Sequence, residues 1–310
     1  MYAGSKAFFY ALSRSALLKR VASKYGLATN RSFASRFIAG ETIERAIETA
    51  RTLQSQGLLI TLDYLGESVR TLEEATAATR EYVRLMEIIV AAGIERNVSL
   101  KLTQLGIDVD RATCVDNLRR ILEPAARCDF FVRIDMENSA YTARTLEIFE
   151  TLWEQGYRNV GVALQSYLYR TERDVRRMND LGARVRLVKG AYKEPPTVAY
   201  QQKADVRASF IRLARILLDH GTYPAIATHD PEALEQVCAY AKEHPIPHDR
   251  FEFQLLYGIR RDLQLSLVKQ GHRVRVYVPF GREWFPYFMR RLGERPANVA
   301  FVLRSLIREG

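Results

Sequence analysis

From about residue 58 onward, short apolar and β-branched runs alternate with longer stretches in which apolar positions recur every three or four residues. The short runs are Leu58–Leu62, Val98–Leu102, Phe130–Ile134, Val160–Leu164, Val185–Val188, Ala225–Ala227, Phe251–Leu255 and Val274–Val278. Between them lie helical patterns such as Thr71–Ala92, Cys114–Ala126, Thr142–Gln155, Ala204–His220 and Pro231–His244, and a further one at Trp284–Leu292. Repeated strand–helix alternation predicts parallel strands joined by right-handed crossovers. Eight such units without a linker, low-complexity stretch or repeat predict an α/β fold of the closed (β/α)₈ barrel type rather than an open doubly wound sheet. The chain of 310 residues suits one barrel (residues 51–310) preceded by an N-terminal helical arm (residues 1–50).

The absences point the same way. There is no G-x-G-x-x-G or G-x-x-x-x-G-K-[ST] phosphate turn and no H-E-x-x-H, and the five histidines are dispersed, so no metal site is expected. The three cysteines, Cys114, Cys128 and Cys238, have no metal spacing and read as reduced packing residues of a reducing, cytoplasmic compartment. No apolar run reaches membrane-spanning length.

Charge changes the picture more. The net charge is +10, which favours anionic partners: phosphate cofactors, carboxylate substrates or a membrane surface. Nucleic acid is not expected, because no recognition motif and no basic run interleaved with stacking aromatics is present. The arm carries Lys6, Arg14, Lys19, Arg20, Lys24, Arg31 and Arg36 before the first acid, Glu41. It has the acid-poor look of a transit peptide, but we read it as a basic helical arm. Such a helix could lie on the inner face of a bacterial membrane or pack on protein, and the residues leave both open.

In a (β/α)₈ barrel the chemistry sits at the C-terminal strand ends. These ends carry Asp63, Lys101, Arg133 with Asp135, Gln165, Arg186 with Lys189, Thr228 with His229, Gln254 with Leu256 and Tyr257, and Tyr277. A lysine inside the apolar strand around Lys101 is costly to bury unless it meets an anion. Asp135 has a structural alternative, an ion pair with Arg133. Lys189-Gly190 offers a cation and close backbone approach to a phosphate. Arg290-Arg291 beyond the last strand suits one carboxylate, with Glu294 one turn on to hold Arg290. The mouth thus reads as rich in cations and poor in acids, suited to an anionic cofactor and a carboxylate substrate.

Eight segments carry a resemblance. They are Ser99-Leu-Lys-Leu-Thr-Gln-Leu-Gly106, Arg133-Ile-Asp-Met-Glu137, Leu164-Gln-Ser-Tyr167, Arg186-Leu-Val-Lys-Gly-Ala-Tyr192, Ala227-Thr-His229, Phe253-Gln-Leu-Leu-Tyr-Gly258, Val276-Tyr-Val-Pro279 and Arg290-Arg-Leu-Gly-Glu294. In this order they resemble the proline dehydrogenase family, nearest its short monofunctional bacterial members, from about Gly40 to the C-terminus. The resemblance implies a distorted TIM barrel that holds FAD at its C-terminal strand ends and oxidises L-proline to Δ1-pyrroline-5-carboxylate by hydride transfer. It implies that Arg186 lies near the flavin N5, Lys189 and Gly190 near the pyrophosphate, and Gln165, Thr228, His229 and Gln254 along the flavin. Lys101, Arg290 and Arg291 would hold the substrate carboxylate, with Asp135 orienting these cations and Glu294 steadying Arg290. Tyr192, Leu256 and Tyr277 would pack on the proline ring.

The family also implies a quinone as electron acceptor, peripheral membrane contact, and a separate pyrroline-5-carboxylate dehydrogenase for the next oxidation. Two departures stand out: Asp230 where Asn is common, and Tyr257 where longer members tend to carry His. Neither is expected to touch the chemistry. A Schiff-base lyase on the same fold, with Lys101 or Lys189 as the amine nucleophile, is the alternative enzyme class. A non-enzymatic basic surface-binding protein is a third class.

Overall fold

The computed structural model describes residues 34–294. Eight parallel strands close on themselves in sequence order: β1 (Leu59–Tyr64), β2 (Asn97–Leu100), β3 (Phe131–Ile134), β4 (Val160–Gln165), β5 (Val185–Val188), β6 (Ala225–Ala227), β7 (Glu252–Leu256) and β8 (Val274–Phe280). Closure is made by β8 against β1, paired from Leu59↔Arg275 to Tyr64↔Phe280. The eight strands lie where the apolar runs predict, with ends shifted by at most two residues.

The helices are α1 (Ile43–Gln54), α2 (Leu72–Ala92), α3 (Arg111–Arg127), α4 (Ser139–Glu154), α5 (Thr171–Asp180), α6 (Lys203–His220), α7 (Pro231–Glu243), α8 (Arg261–Lys269) and α9 (Trp284–Glu294). Local chemistry sets several ends. Thr71 and Glu74 form a reciprocal capping box at the start of α2, and Gly93 closes that helix in the left-handed conformation at φ 66°. Asp230 caps α7 and Pro231 opens it. Helices α5 and α8 have no counterpart among the helical stretches named from the pattern. Both are short and charged, and α5 buries only a narrow stripe through Val175 and Met178.

Alternation along the strands sorts side chains by destination. One set, including Ile60, Leu62, Val98, Leu100, Val132, Val185, Leu187, Val274 and Val276, belongs to the main hydrophobic core. The other set is largely polar and runs around the barrel in register: Asp63↔Ser99, Ser99↔Arg133, Arg133↔Gly161, Ala163↔Arg186, Arg186↔Ala225, Ala225↔Glu252 and Gln254↔Arg275. A charged barrel interior is expensive unless each group is engaged: Asp63, Arg186, Glu252 and Arg275 form ion pairs, and Arg133 donates to backbone carbonyls.

The last helix departs from the regular barrel. Instead of packing outside β8 and β1, α9 brings Tyr287, Arg290 and Arg291 over the open end. Helix α1 packs against β1 and β8 in its stead and buries Ile43, Ala46, Ile47, Ala50 and Leu53. The boundary placed at residue 50 from the sequence therefore falls inside a helix. A second small core joins Ala34, Phe37 and Ile38 to Trp284, Phe285 and Phe288, and Trp284 Nε1 donates to Glu41 Oε1 at 2.9 Å. The chain just before α1 thus anchors α9. The rest of the basic arm, residues 1–33, lies outside the described residues.

Candidate active site

One cavity of about 630 Å³ opens at the C-terminal ends of the strands. Every site residue expected from the sequence whose side chain is described lines it; the Glu294 side chain lies outside the described residues. The barrel does this because strand-end residues of eight separate segments converge on one axis.

Beneath Lys101 the charges form a tight group. Its ammonium lies 3.3 Å from both carboxylate oxygens of Asp63 and 3.8 Å from Asp135 Oδ2. Burial by itself would push the Lys101 pKa down, and the two carboxylates more than offset it, holding the ammonium above the ordinary lysine value. A lysine kept protonated in this way is a poor amine nucleophile, which argues against the Schiff-base class. Asp63 is fully buried, and that burial raises its carboxyl against the pull of Lys101.

Asp135 is the hub. Tyr277 donates its hydroxyl to Asp135 Oδ2 at 2.7 Å, and Arg186 donates from Nη1 to Asp135 Oδ1. Arg186 also donates to Ser99 Oγ at 2.9 Å and to Gln254 Oε1. Arg133 is not the partner of Asp135. It donates to the backbone carbonyls of Val162 and Arg184 below the site and lies over the Phe131 ring.

Arg290 is held by Glu67, at 2.7 Å from Nη1 to Oε1. The expected partner Glu294 has its side chain outside the described residues, and Glu67 is a partner that the sequence did not single out. Burial pushes Glu67 up, but Arg290 outweighs it and leaves the carboxyl below its ordinary value. The Arg291 guanidinium lies over the Tyr287 ring, 5.2 Å from its centroid.

Across the barrel, Lys189 meets Asp230, and Arg207 Nε donates to the same Asp230 oxygen at 2.8 Å. These two cations hold the Asp230 carboxyl down at about 2, against a burial effect of opposite sign. The residue at the Asp230 departure therefore anchors Lys189, the lysine expected near the pyrophosphate. Tyr257, by contrast, does not line the cavity and packs under Arg261. Gly190 has φ 114°, and a Cβ there would come within 2.5 Å of the Tyr167 ring. His229 accepts from the Leu256 amide through Nε2 at 2.9 Å, and Gln165 donates to the Glu137 carbonyl at 2.8 Å.

The mouth is not poor in acids, as the strand ends alone indicate. Asp63, Glu67, Asp135 and Asp230 each pair with a cation of the site. Asp63, noted at the end of β1 from the sequence but given no role there, is the buried partner of Lys101. The residues missed from sequence, Glu67, Lys203, Arg207 and Tyr287, come from loops and helices and carry no local signal. Glu137, raised by burial to about 7, is engaged by Thr103 Oγ1 at 2.7 Å and does not line the cavity. Among the described residues, no cluster of His, Cys, Asp and Glu could hold a metal ion, and no helix is long and apolar enough to cross a membrane.

Comparison with known proteins agrees with this geometry. The family pattern described as "Proline dehydrogenase" matches residues 46–304. Proline dehydrogenase 2 of Bacillus subtilis is 42% identical over 302 residues, spanning 97% of this chain and 98% of the relative. The proline dehydrogenase of Deinococcus radiodurans is 43% identical over 281 residues, 89% of this chain and 91% of the relative. Among solved structures, proline utilization A (PutA) from Bdellovibrio bacteriovorus, inactivated by N-propargylglycine, superposes with a TM-score of 0.78 at 28% identity. That match covers 84% of this chain but 32% of the solved chain, so this chain spans about a third of that protein.

Proposed function

The chain belongs to the proline dehydrogenase family, and from that premise we propose how its cavity oxidises L-proline to Δ1-pyrroline-5-carboxylate with FAD. The observation that carries the reading is a single cavity with two cationic poles. Lys101, Arg290 and Arg291 stand on the side of β2 and α9; Lys189, Lys203 and Arg207 stand across the barrel beside β5 and α6.

The second pole fits the phosphates of FAD. Two cations converge on one internal anion there, and Gly190 brings backbone close where a Cβ would strike Tyr167. Lys189 and Gly190 are assigned to the pyrophosphate, and Gln165, Thr228, His229 and Gln254 to the flavin. Arg186 is assigned to the flavin near N5. When bound, FAD supplies the hydride acceptor.

The first pole holds the substrate carboxylate. Lys101, Arg290 and Arg291 provide charge-assisted donors, which favours a carboxylate over a neutral group. Tyr192, Leu256 and Tyr277 supply walls for the proline ring. Asp135 ties Tyr277, Arg186 and Lys101 into one unit, so the ring wall and the cation beside the flavin keep a fixed relation. Holding the substrate this way turns an encounter into an oriented, intramolecular-like step. Helix α9 covers the mouth and limits access of water. The electrons then pass to a quinone, met at a membrane surface by peripheral contact from the cytoplasmic side.

The test is the visible spectrum of purified protein. Flavin absorption that bleaches on anaerobic addition of L-proline, with an imine product that a trapping reagent detects, supports the reading. A colourless protein that cannot be loaded with FAD, or a flavin band that proline leaves unchanged, overturns it.

A further inference from the structure

Below the cavity the barrel continues as a chain of side chains that the chemistry above does not use. Along β7 the inward positions are Glu252, Gln254 and Leu256, and the upper two line the cavity. Glu252 lies one layer beneath, almost wholly buried. Arg275 grips it twice, Nε to Oε1 at 2.8 Å and Nη2 to Oε2 at 3.0 Å, and the Tyr223 hydroxyl donates to Oε2 at 3.0 Å. Arg275 itself is fixed from outside by Glu95 at 2.9 Å and by the Ile60 carbonyl at 2.6 Å.

Gln254 bridges this floor to the site. Its Nε2 donates to Glu252 Oε1, and its Oε1 accepts from Arg186 Nε. A carboxamide has a donor end and an acceptor end of nearly the same shape. Arg186 can only donate and an ionised Glu252 can only accept. One orientation of Gln254 satisfies both neighbours, and the reverse orientation satisfies neither. Burial pushes Glu252 up, but Arg275 more than offsets it, so the carboxyl stays below its ordinary value and ionised.

We propose that Glu252 is a positioning residue for the redox step: it fixes the Gln254 amide with its oxygen toward Arg186, and thereby holds the Arg186 guanidinium in the cavity wall. The proposal rests on the assignment of Arg186 to the flavin made above. With a neutral amide at position 252, either end of Gln254 can face down. When its nitrogen faces the guanidinium, two donors oppose each other, and Arg186 keeps only Asp135 and Ser99 as acceptors. A cation held less firmly beside the flavin stabilises the negative charge of the reduced ring less well.

The experiment is the midpoint potential of the FAD-loaded protein, measured by spectroelectrochemistry for wild type, Glu252→Gln, Arg186→Gln and the double variant, with proline KM and kcat alongside. Glu252→Gln should weaken stabilisation of reduced flavin about tenfold, a shift of about 30 mV to more negative potential for a two-electron couple. Its kcat should fall several-fold while KM stays within about twofold, because the carboxylate pole is untouched. The double variant should shift no further than Arg186→Gln alone, since Glu252 acts through Arg186.

A wild-type potential in folded Glu252→Gln, or fully additive shifts in the double variant, overturns the proposal alone. A wild-type potential in Arg186→Gln overturns the flavin assignment and the proposal with it. Where the stranded Arg275 charge prevents Glu252→Gln from folding, Glu252→Gln combined with Arg275→Met removes that charge. The same shift is expected there, and an unchanged potential again overturns the proposal.

Discussion

Arg290 donates from Nη1 to Glu67 Oε1 at 2.7 Å, so one arm of the proposed carboxylate clamp is already committed to an internal carboxylate. Its neighbour Arg291 lies over the Tyr287 ring. Arg290 therefore ties α9 to the β1–α2 loop as well as facing the cavity.

Arg291→Met should raise the proline KM. Loss of charge-assisted hydrogen bonds worth about 1.5–3 kcal/mol corresponds to roughly a 10- to 100-fold rise. Arg290→Met should raise KM and also lower thermal stability, because the half-buried Glu67 is left without its cation. Steady-state kinetics and thermal unfolding check both, and the flavin content of Arg291→Met should match wild type. An unchanged KM in Arg291→Met removes that residue from the clamp.

Asp230 sets up an electrostatic prediction for the cofactor pole. Lys189→Ala should reduce flavin retention, because a phosphate loses its countercharge. Asp230→Asn should retain the helix cap, since Asn caps as well as Asp, while removing the negative charge nearest Lys189 and Arg207. Flavin binding should tighten several-fold in Asp230→Asn, read by titration of apoprotein with FAD. Weaker binding in that variant would show that the carboxylate organises the cations more than it competes with phosphate.

Glu137 makes stability depend on pH. Burial raises its carboxyl from 4.5 to about 7, so the folded protein binds this proton more tightly than the unfolded chain does. The resulting stability is complete below the unfolded value near 4.5 and is lost as pH rises through about 7. The loss is on the order of 3 kcal/mol. Glu137→Gln mimics the protonated form and should match wild type at pH 4.5, yet be the more stable protein above pH 7. Denaturant unfolding at both pH values decides it, and parallel curves for the two proteins would discount the effect.

Gly190 tests the backbone of the cofactor pole. At φ 114°, with Tyr167 2.5 Å from where a Cβ would sit, Gly190→Ala has no relaxed conformation. Backbone strain of about 1–3 kcal/mol, together with displacement of Tyr167, should lower the melting temperature and weaken FAD binding in the same variant. An alanine variant with wild-type melting and flavin content would show that the turn readily rearranges.

Much of this protein is legible in its sequence, because the strands obey a local rule. Parallel strands covered by helices must be apolar on their outer face, so runs such as Val185–Val188 and Val274–Val278 announce themselves, and their spacing implies closure. The strand ends then place Lys101, Asp135, Arg186, Lys189, Gln254 and Tyr277 around one mouth without any coordinates. What only the tertiary structure decided is which charges meet. Arg290 takes Glu67 from a distant loop, and Lys189 takes Asp230 from the end of another strand. Arg275 and Glu252 join two strands beneath the site. Hydrophobic periodicity is written residue by residue, because each side chain answers to its own element. Ion pairing depends on through-space distance in a low-dielectric interior, and that distance exists only once the barrel has closed.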